Sequence, residues 1–239
     1  MYNSNKTKNV VITGASRGIG YAIAEIFAHN GYNLFITSKN EVNLYNAVAG
    51  LQEKYPLSGI HAKAFDLSDK QEAKRFGGWV LEYSAPDILI NNTGIFEPGN
   101  ISDEPDGALE KQMATNLYSA YYVTKALLPA MKEKTAGHIF NMCSIASLKA
   151  YPNGGAYSIS KYALYGFSAN LREELKPYRI KVTSVFPGAV LTDSWGDFDN
   201  SKNRIMEAGD IAQMIFAAAQ LSAGACVEEM ILRPQPGDL

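Results

Sequence analysis

The stretch Thr13-Gly14-Ala15-Ser16-Arg17-Gly18-Ile19-Gly20 decides how the rest of the chain is read. It follows a β-branched run, Asn9–Thr13, and enters an amphipathic run, Ile19–Asn30, so it is a turn between a strand and a helix. Glycines let a backbone turn tightly and come close to a diphosphate, whose charge then rests on the free N–H groups of the helix N-terminus. The spacing is Gly-x-x-x-Gly-x-Gly, and no Gly-Lys-Ser/Thr follows, which disfavours a Walker-type phosphate loop. An ordinary glycine-rich turn is the competing reading; the position between strand and helix weighs against it.

Outward from this turn, strands and helices alternate to the end of the 239-residue chain. Further strands are expected at Asn33–Thr37, Gly59–Phe65, Asp87–Asn91, His138–Cys143, Lys181–Phe186 and Val227–Arg233. Helices are expected near Glu41–Lys54, Asp69–Tyr83, Pro105–Lys134, Ala156–Leu175 and Glu207–Ser222. Crossovers of helix length join parallel strands, so the expected fold is α/β: a single-domain, doubly wound sandwich, a seven-stranded parallel sheet flanked by helices, spanning residues 1–239. Gly31 follows the first helix where a left-handed residue belongs, Pro56 and Pro177 each follow a helix, and Ser68-x-x-Gln71 has the form of a capping box. The longest irregular stretch, near 187–206, carries Trp195 and Phe198 and reads as a substrate lid.

Composition removes several function classes. With 22 basic and 24 acidic residues, net charge −2, bulk charge gives nucleic acid no reason to bind. Two cysteines, Cys143 and Cys226, form no disulfide framework, and with His29, His61 and His138 dispersed no metal site is expected. Met1 to Asn9 is polar and the longest apolar run, Met214–Ala219, has six residues, so neither a signal peptide nor a membrane span is expected and the expected location is cytoplasmic.

The second strand ends in Ser38-Lys39, where a fold that binds NAD places an acid for the ribose 2′-hydroxyl. Lys39, with Arg17 from the glycine turn, is placed to pair with a 2′-phosphate, which favours NADP(H) over NAD(H). The alternative is that both are solvated surface cations, and Glu41 stands close by. Tyr157 and Lys161 lie four apart on one helical face. The same Tyr-x-x-x-Lys spacing occurs at Tyr2–Lys6 and Tyr121–Lys125, so context must separate them. Only Tyr157 follows a strand end and a loop of small residues, Cys143-Ser144-Ile145-Ala146-Ser147, and ligands of such sheets lie beyond the carboxyl ends of the strands.

Taken in order, these motifs make the chain resemble the short-chain dehydrogenase/reductase family, with its Rossmann-type fold, over essentially its whole length. The glycine turn supplies Gly14, Ser16, Arg17, Gly18, Ile19 and Gly20; Asp66-Leu67 resembles the family's adenine contact; Asn91-Asn92-Thr93-Gly94 resembles its Asn-Asn-Ala-Gly signature. Pro187-Gly188-Ala189-Val190-Leu191-Thr192 resembles the segment that holds the nicotinamide carboxamide, and Asn116, Ser144, Tyr157 and Lys161 match the catalytic set. Thr93 in place of alanine, and Cys143 where a serine is common, depart from the pattern without removing a reacting group.

The resemblance implies reversible reduction of a carbonyl compound to an alcohol. Tyr157 would donate the proton, its phenol lowered from a pKa near 10 by the Lys161 ammonium and the oxidised cofactor ring. Ser144 would hold the substrate oxygen, Lys161 would also bind the nicotinamide ribose, and Asn116 would help hold a water linking Lys161 to solvent. A helix-interior asparagine bonding its own backbone is the alternative for Asn116. Ile145, Leu148, Trp195 and Phe198 suggest a partly apolar pocket, while Asp193, Asp197 and Asp199 weigh against an anionic substrate such as a 3-oxoacyl group on an acidic carrier. The tail Glu228–Leu239 looks closer to the sepiapterin-reductase-like and general ketone-reductase branches. The last helix, apolar around most of its circumference, and the family both imply a homodimer or homotetramer. A catalytically silent NADP(H) sensor and a 3-oxoacyl-thioester reductase are the alternatives to a reductase of a small neutral carbonyl compound.

Overall fold

In the computed structural model of this chain, residues 7–238 are described; Tyr2–Lys6 therefore lies outside them. The strands are β1 (Asn9–Thr13), β2 (Asn33–Thr37), β3 (Ile60–Ala62), β4 (Ile88–Asn91), β5 (Gly137–Met142), β6 (Ile180–Pro187) and β7 (Glu229–Leu232). They form one parallel sheet in the order β3-β2-β1-β4-β5-β6-β7. The order reverses at β1 and β4, and a reversal opens a crevice at the carboxyl ends of the two strands. The glycine turn leaves β1 and the Asn92–Gly94 segment leaves β4 at that crevice.

A parallel sheet is covered on both faces, so its central strands are buried on both, as in β1, where Val10, Val11 and Ile12 fill the middle of a fully buried strand. Alternation then sorts the side chains. Val10, Ile12, Leu34, Ile36, Ile88 and Ile90 meet α1 (Gly18–His29), α2 (Glu41–Lys54) and α7 (Ala208–Ala219). Val11, Phe35, Leu89 and Ile139 meet α3 (Lys70–Leu81), α5 (Ser119–Lys134) and α6 (Gly155–Leu175). Each large side chain so buried contributes roughly 1.5–3 kcal/mol. After α1, Gly31 adopts φ 76°, and its N–H and that of Tyr32 close on Ala28 and Phe27, which is the left-handed stop expected.

Several elements differ from expectation, β7 among them at four residues instead of seven. β3 is three residues long instead of seven, because it is the edge strand: beyond Ala62 only the Lys63 and Phe65 N–H groups still reach β2 and the residue after it. The cap of α3 is Asp69, whose carboxylate accepts from Gln71 and Glu72 N, while the Ser68 hydroxyl turns back to Asp66. The expected helix Pro105–Lys134 is broken into α4 (Ala108–Met113), a π turn (Ala114–Tyr118) and α5, with Gly107 at φ 88° starting it late. π turns are over-represented at functional sites, and this one carries Asn116.

The 187–206 segment is closed at its neck. Val190 bridges Met206, Leu191 N donates to Met206 O at 2.8 Å, and Met206 N donates to Ala189 O at 3.1 Å.

Candidate active site

The glycine turn is built by contact as much as by flexibility. Gly14 and Gly18 take φ values of 64° and 54°. A Cβ on Gly20 would overlap Gly14 O and lie 2.5 Å from Asn92 Nδ2, so only glycine lets α1 approach the turn. Asn92 holds that turn: its Nδ2 donates to Thr13 O and Gly14 O, both at 3.0 Å. The Thr13 hydroxyl accepts from Asn92 N at 2.9 Å and Thr93 N at 3.0 Å, which locks the ends of β1 and β4 together. Thr13 was not among the expected site residues, although it opens the motif. The N-cap of α1 is Arg17, with no side-chain cap, so the first-turn N–H groups are left for an anion. Thr192 closes the other side, its Cγ2 being 3.2 Å from where a Gly18 Cβ would sit.

At the nucleotide end, Ser16 donates to Ser38 at 2.9 Å. Arg17 and Lys39, expected to act together on a phosphate, are each turned to a carboxylate instead: Arg17 to Asp193 at 3.0 Å, Lys39 to Asp66 at 2.6 Å. Solvent-exposed cations take the nearest carboxylate, and such pairs contribute about 0–1 kcal/mol. Burial pushes the Asp66 carboxyl up, but hydrogen bonds from Lys39 and Ser68 outweigh it and hold the group below its ordinary value. Leu67 is buried in the core below.

The four expected catalytic residues converge beyond β4 and β5. Tyr157 and Lys161 stand in the first two turns of α6, and Ser144 follows β5 and caps the 3-10 turn Ile145–Ser147. Ser144 stands close enough to the Tyr157 hydroxyl to draw its pKa down. Lys161 Nζ donates to Met142 O at 2.8 Å and lies 5.8 Å from the centre of the Tyr157 ring. Asn116 does not bond its own helix: Nδ2 donates to Ile95 O at 3.1 Å and Ser160 Oγ at 2.8 Å, and Oδ1 accepts from Ile95 N at 2.8 Å. A Cβ on Gly94 would sit 3.2 Å from Asn116 Oδ1 and 3.4 Å from Lys161 Nζ, so Gly94 keeps this corner open.

The electrostatics correct one expectation. Burial pushes the Tyr157 phenol up, Ser144 pulls it partly back, and Cys143 pushes it up again. Lys161 does not lower it, because the amine is itself buried, which brings it down to about 8, and is turned to the Met142 carbonyl. The phenol is therefore held protonated at neutral pH, the state a proton donor needs. The buried Cys143 thiol is raised to about 12 and stays neutral, as an inert cysteine should.

One aromatic residue absent from the expected pocket, Phe96, meets Tyr157 directly. The Phe96 ring meets that of Tyr157 edge-on at 4.8 Å, and burial together with Tyr157 raises the Tyr151 phenol to about 12. Their signal lay in their loops: Phe96 stands two residues after Gly94, and Tyr151 six before Tyr157. Of the expected pocket residues, Leu148 packs on Cys143, Leu164 and Phe186 in a small core, and Trp195 and Phe198 pair with each other at 5.3 Å. Pro187 ends β6, Gly188 N donates to Leu232 O at 2.8 Å, and the Val190 side chain lies in the main core. Among the described residues no cluster of His, Cys, Asp or Glu could hold a metal ion, and no helix is long and apolar enough to cross a membrane.

Comparison with known proteins bears on this geometry. The family model for short chain dehydrogenase matches residues 8–203. Sepiapterin reductase of Chlorobaculum tepidum is 32% identical over 239 aligned residues, covering 96% of this chain and 97% of that protein. The solved alcohol dehydrogenase of Thermococcus sibiricus, complexed with 5-hydroxy-NADP, superposes with a TM-score of 0.88 at 26% identity, covering 96% of this chain and 97% of that one. A metagenomic short-chain oxidoreductase in complex with NADP superposes with a TM-score of 0.83 at 28% identity, covering 95% and 97%.

Proposed function

We propose, from the premise that the chain belongs to the short-chain dehydrogenase family, that this oxidoreductase uses NADP(H) to reduce a small or medium neutral carbonyl compound reversibly to an alcohol. The observation that carries the reading is the convergence of Ser144, after β5, with Tyr157 and buried Lys161 of α6, the Lys161 Nζ lying 5.8 Å from the Tyr157 ring centre. A protein that only senses a nucleotide has no chemical use for a buried proton donor.

The residues present fit the cofactor. The space that Gly14, Gly18, Gly20 and Gly94 leave is one that any Cβ would narrow, and the uncapped start of α1 suits a diphosphate. Arg17, Ser38 and Lys39 are the residues for the 2′-phosphate. Their present ion pairs are exposed and weak, whereas a phosphate dianion offers charge-assisted bonds to both cations at once. The two solved relatives, complexed with NADP and its 5-hydroxy derivative, support this choice. Asp66, Asn92, Thr93, Pro187, Gly188 and Thr192 line the remainder of the crevice in this reading, and Leu67 and Val190, whose side chains are in the core, meet it through their backbone.

NADPH, when bound, supplies the hydride for the carbonyl carbon. Tyr157 delivers its proton to the carbonyl oxygen, and the Ser144 hydroxyl donates to the same oxygen as charge develops there. Lys161, near 8, keeps most of its charge at neutral pH and is the residue for the nicotinamide ribose in this reading. Asn116 fixes the loop after β4 against α6 through Ile95 and Ser160. Phe96 puts an aromatic ring beside Tyr157, which suits a planar or apolar carbonyl compound.

NADPH depletion against a panel of ketones, aldehydes, diketones, pterins and 3-oxoacyl thioesters tests the reading. Consumption with at least one neutral carbonyl compound is expected. Tight NADPH binding with no consumption across the panel would favour the sensor, and a preference for the acidic thioesters would overturn the substrate class.

A further inference from the structure

The catalytic helix α6 does not cap itself. Its N-cap is Gly154, which has no side chain, and Gly155 follows at φ 24°. The cap comes from 52 residues away: Ala156 N donates to Glu104 Oε1 at 2.9 Å. A Cβ on Gly155 would overlap that oxygen and lie 2.5 Å from Gly99 O, and a Cβ on Gly99 would lie 2.6 Å from Glu104 Cγ. The two glycines are thus the space the carboxylate fills.

The contact is braced on both sides. Gly99 N donates to Asn153 O at 3.0 Å, and Asn153 N donates to Asn100 Oδ1 at 3.2 Å. Glu104 N donates to Asn100 O at 2.9 Å, so the loop that presents the carboxylate is closed on itself. A carboxylate at a helix N-terminus satisfies an otherwise orphaned N–H and complements the helix dipole. Ala156 adjoins Tyr157, and the same loop supplies Phe96, whose ring meets the Tyr157 ring at 4.8 Å. The loop after β4 therefore grips Tyr157 twice, through its backbone turn and through its ring.

We propose that Glu104 is a positioning residue for Tyr157: by holding the first turn of α6 it keeps the phenol beside Ser144. The proposal rests on the reading of Tyr157 as proton donor. A misplacement of about 1 Å at a reacting group costs about a hundredfold in rate, so a strap acting on the neighbouring residue has leverage on turnover.

The test compares Glu104→Ala with Glu104→Gln, whose amide oxygen accepts the same N–H without the charge. For Glu104→Ala, kcat is expected to fall about tenfold to a hundredfold while the NADPH dissociation constant stays within about twofold. Amide exchange should accelerate in the segment holding Ala156 and Tyr157 and not in the sheet. Glu104→Gln should recover kcat to within about threefold of the native value. Native kcat in Glu104→Ala, equal losses in kcat and NADPH affinity, exchange faster throughout the sheet, or no recovery in Glu104→Gln would each overturn the proposal. Should Glu104→Ala fold poorly, Glu104→Asp withdraws the carboxylate by one methylene and is read the same way. Turnover retained by Tyr157→Phe would instead remove the reading of Tyr157, whereas the exchange measurement reports on the strap alone.

Discussion

The two side chains proposed to choose the nucleotide, Arg17 and Lys39, are engaged by their own protein in this structure. Arg17 and Asp193 stand 176 positions apart in the chain, so their pairing was invisible to any local reading. The charges were legible, and their partners were not. Each pair is surrounded by water, and a 2′-phosphate needs to displace only two weak contacts. Arg17→Gln with Lys39→Gln is therefore expected to weaken NADPH by about tenfold to a hundredfold and NADH by less than about threefold, read by fluorescence titration. Equal losses for the two nucleotides would mean that neither cation reads the phosphate. The residues proposed as catalytic could be singled out in the sequence because their chemistry is specific and their spacing local. Tyr157 and Lys161 share one helix face, and Ser144 lies thirteen residues upstream, past one turn.

At the scale of elements, the strand–turn–helix that opens the chain was readable because glycine spacing is a backbone property, and the structure gives the physical reason for each position. Replacing Gly20 by alanine forces a Cβ onto the Gly14 carbonyl, which is backbone and cannot swing aside. The expected outcome is a loss of NADPH affinity of more than about tenfold together with destabilisation of about 1–3 kcal/mol, measured by titration and by urea unfolding. Unchanged affinity would mean that the turn does not hold the cofactor. The π turn at Ala114–Tyr118 was not readable, since the apolar spacing around it continues at helical period. What makes it is tertiary: the Asn116 side chain bonds Ile95 and Ser160 from other segments. The cap of α6 was hidden for the same reason, because Gly154 gives no local signal and Glu104 belongs to another loop. The short β3 reflects its place at the sheet edge, where no further strand rewards extension.

The whole molecule carries a titratable group at its centre. His138 in β5 is 5% exposed, stacks on Phe140 at 3.9 Å, and has Nε2 2.7 Å from the Thr183 hydroxyl. That hydroxyl donates to Val227 O, so Nε2 carries a proton and donates to it. Burial, with Lys181 adding to it, brings His138 down to about 3, far below the unfolded value of 6.5. Between those values the unfolded chain binds a proton that the native protein does not, so stability is present above pH 6.5 and declines as pH falls toward 3. By pH 4.5 the loss is about 2–3 kcal/mol. In His138→Gln, which keeps a donor to Thr183, urea unfolding at pH 7 and 4.5 should lack that share of the decline. The same decline in both proteins would place the acid sensitivity elsewhere.

The central claim is that Tyr157 delivers the proton in an NADPH-dependent reduction, and its most direct measurement is turnover by Tyr157→Phe with the best carbonyl substrate of the panel, beside NADPH titration of the same variant. The account predicts that NADPH binds within about twofold of the native affinity while kcat falls by about a hundredfold to ten-thousandfold. Turnover at the native rate, with the phenol hydroxyl gone, would contradict it.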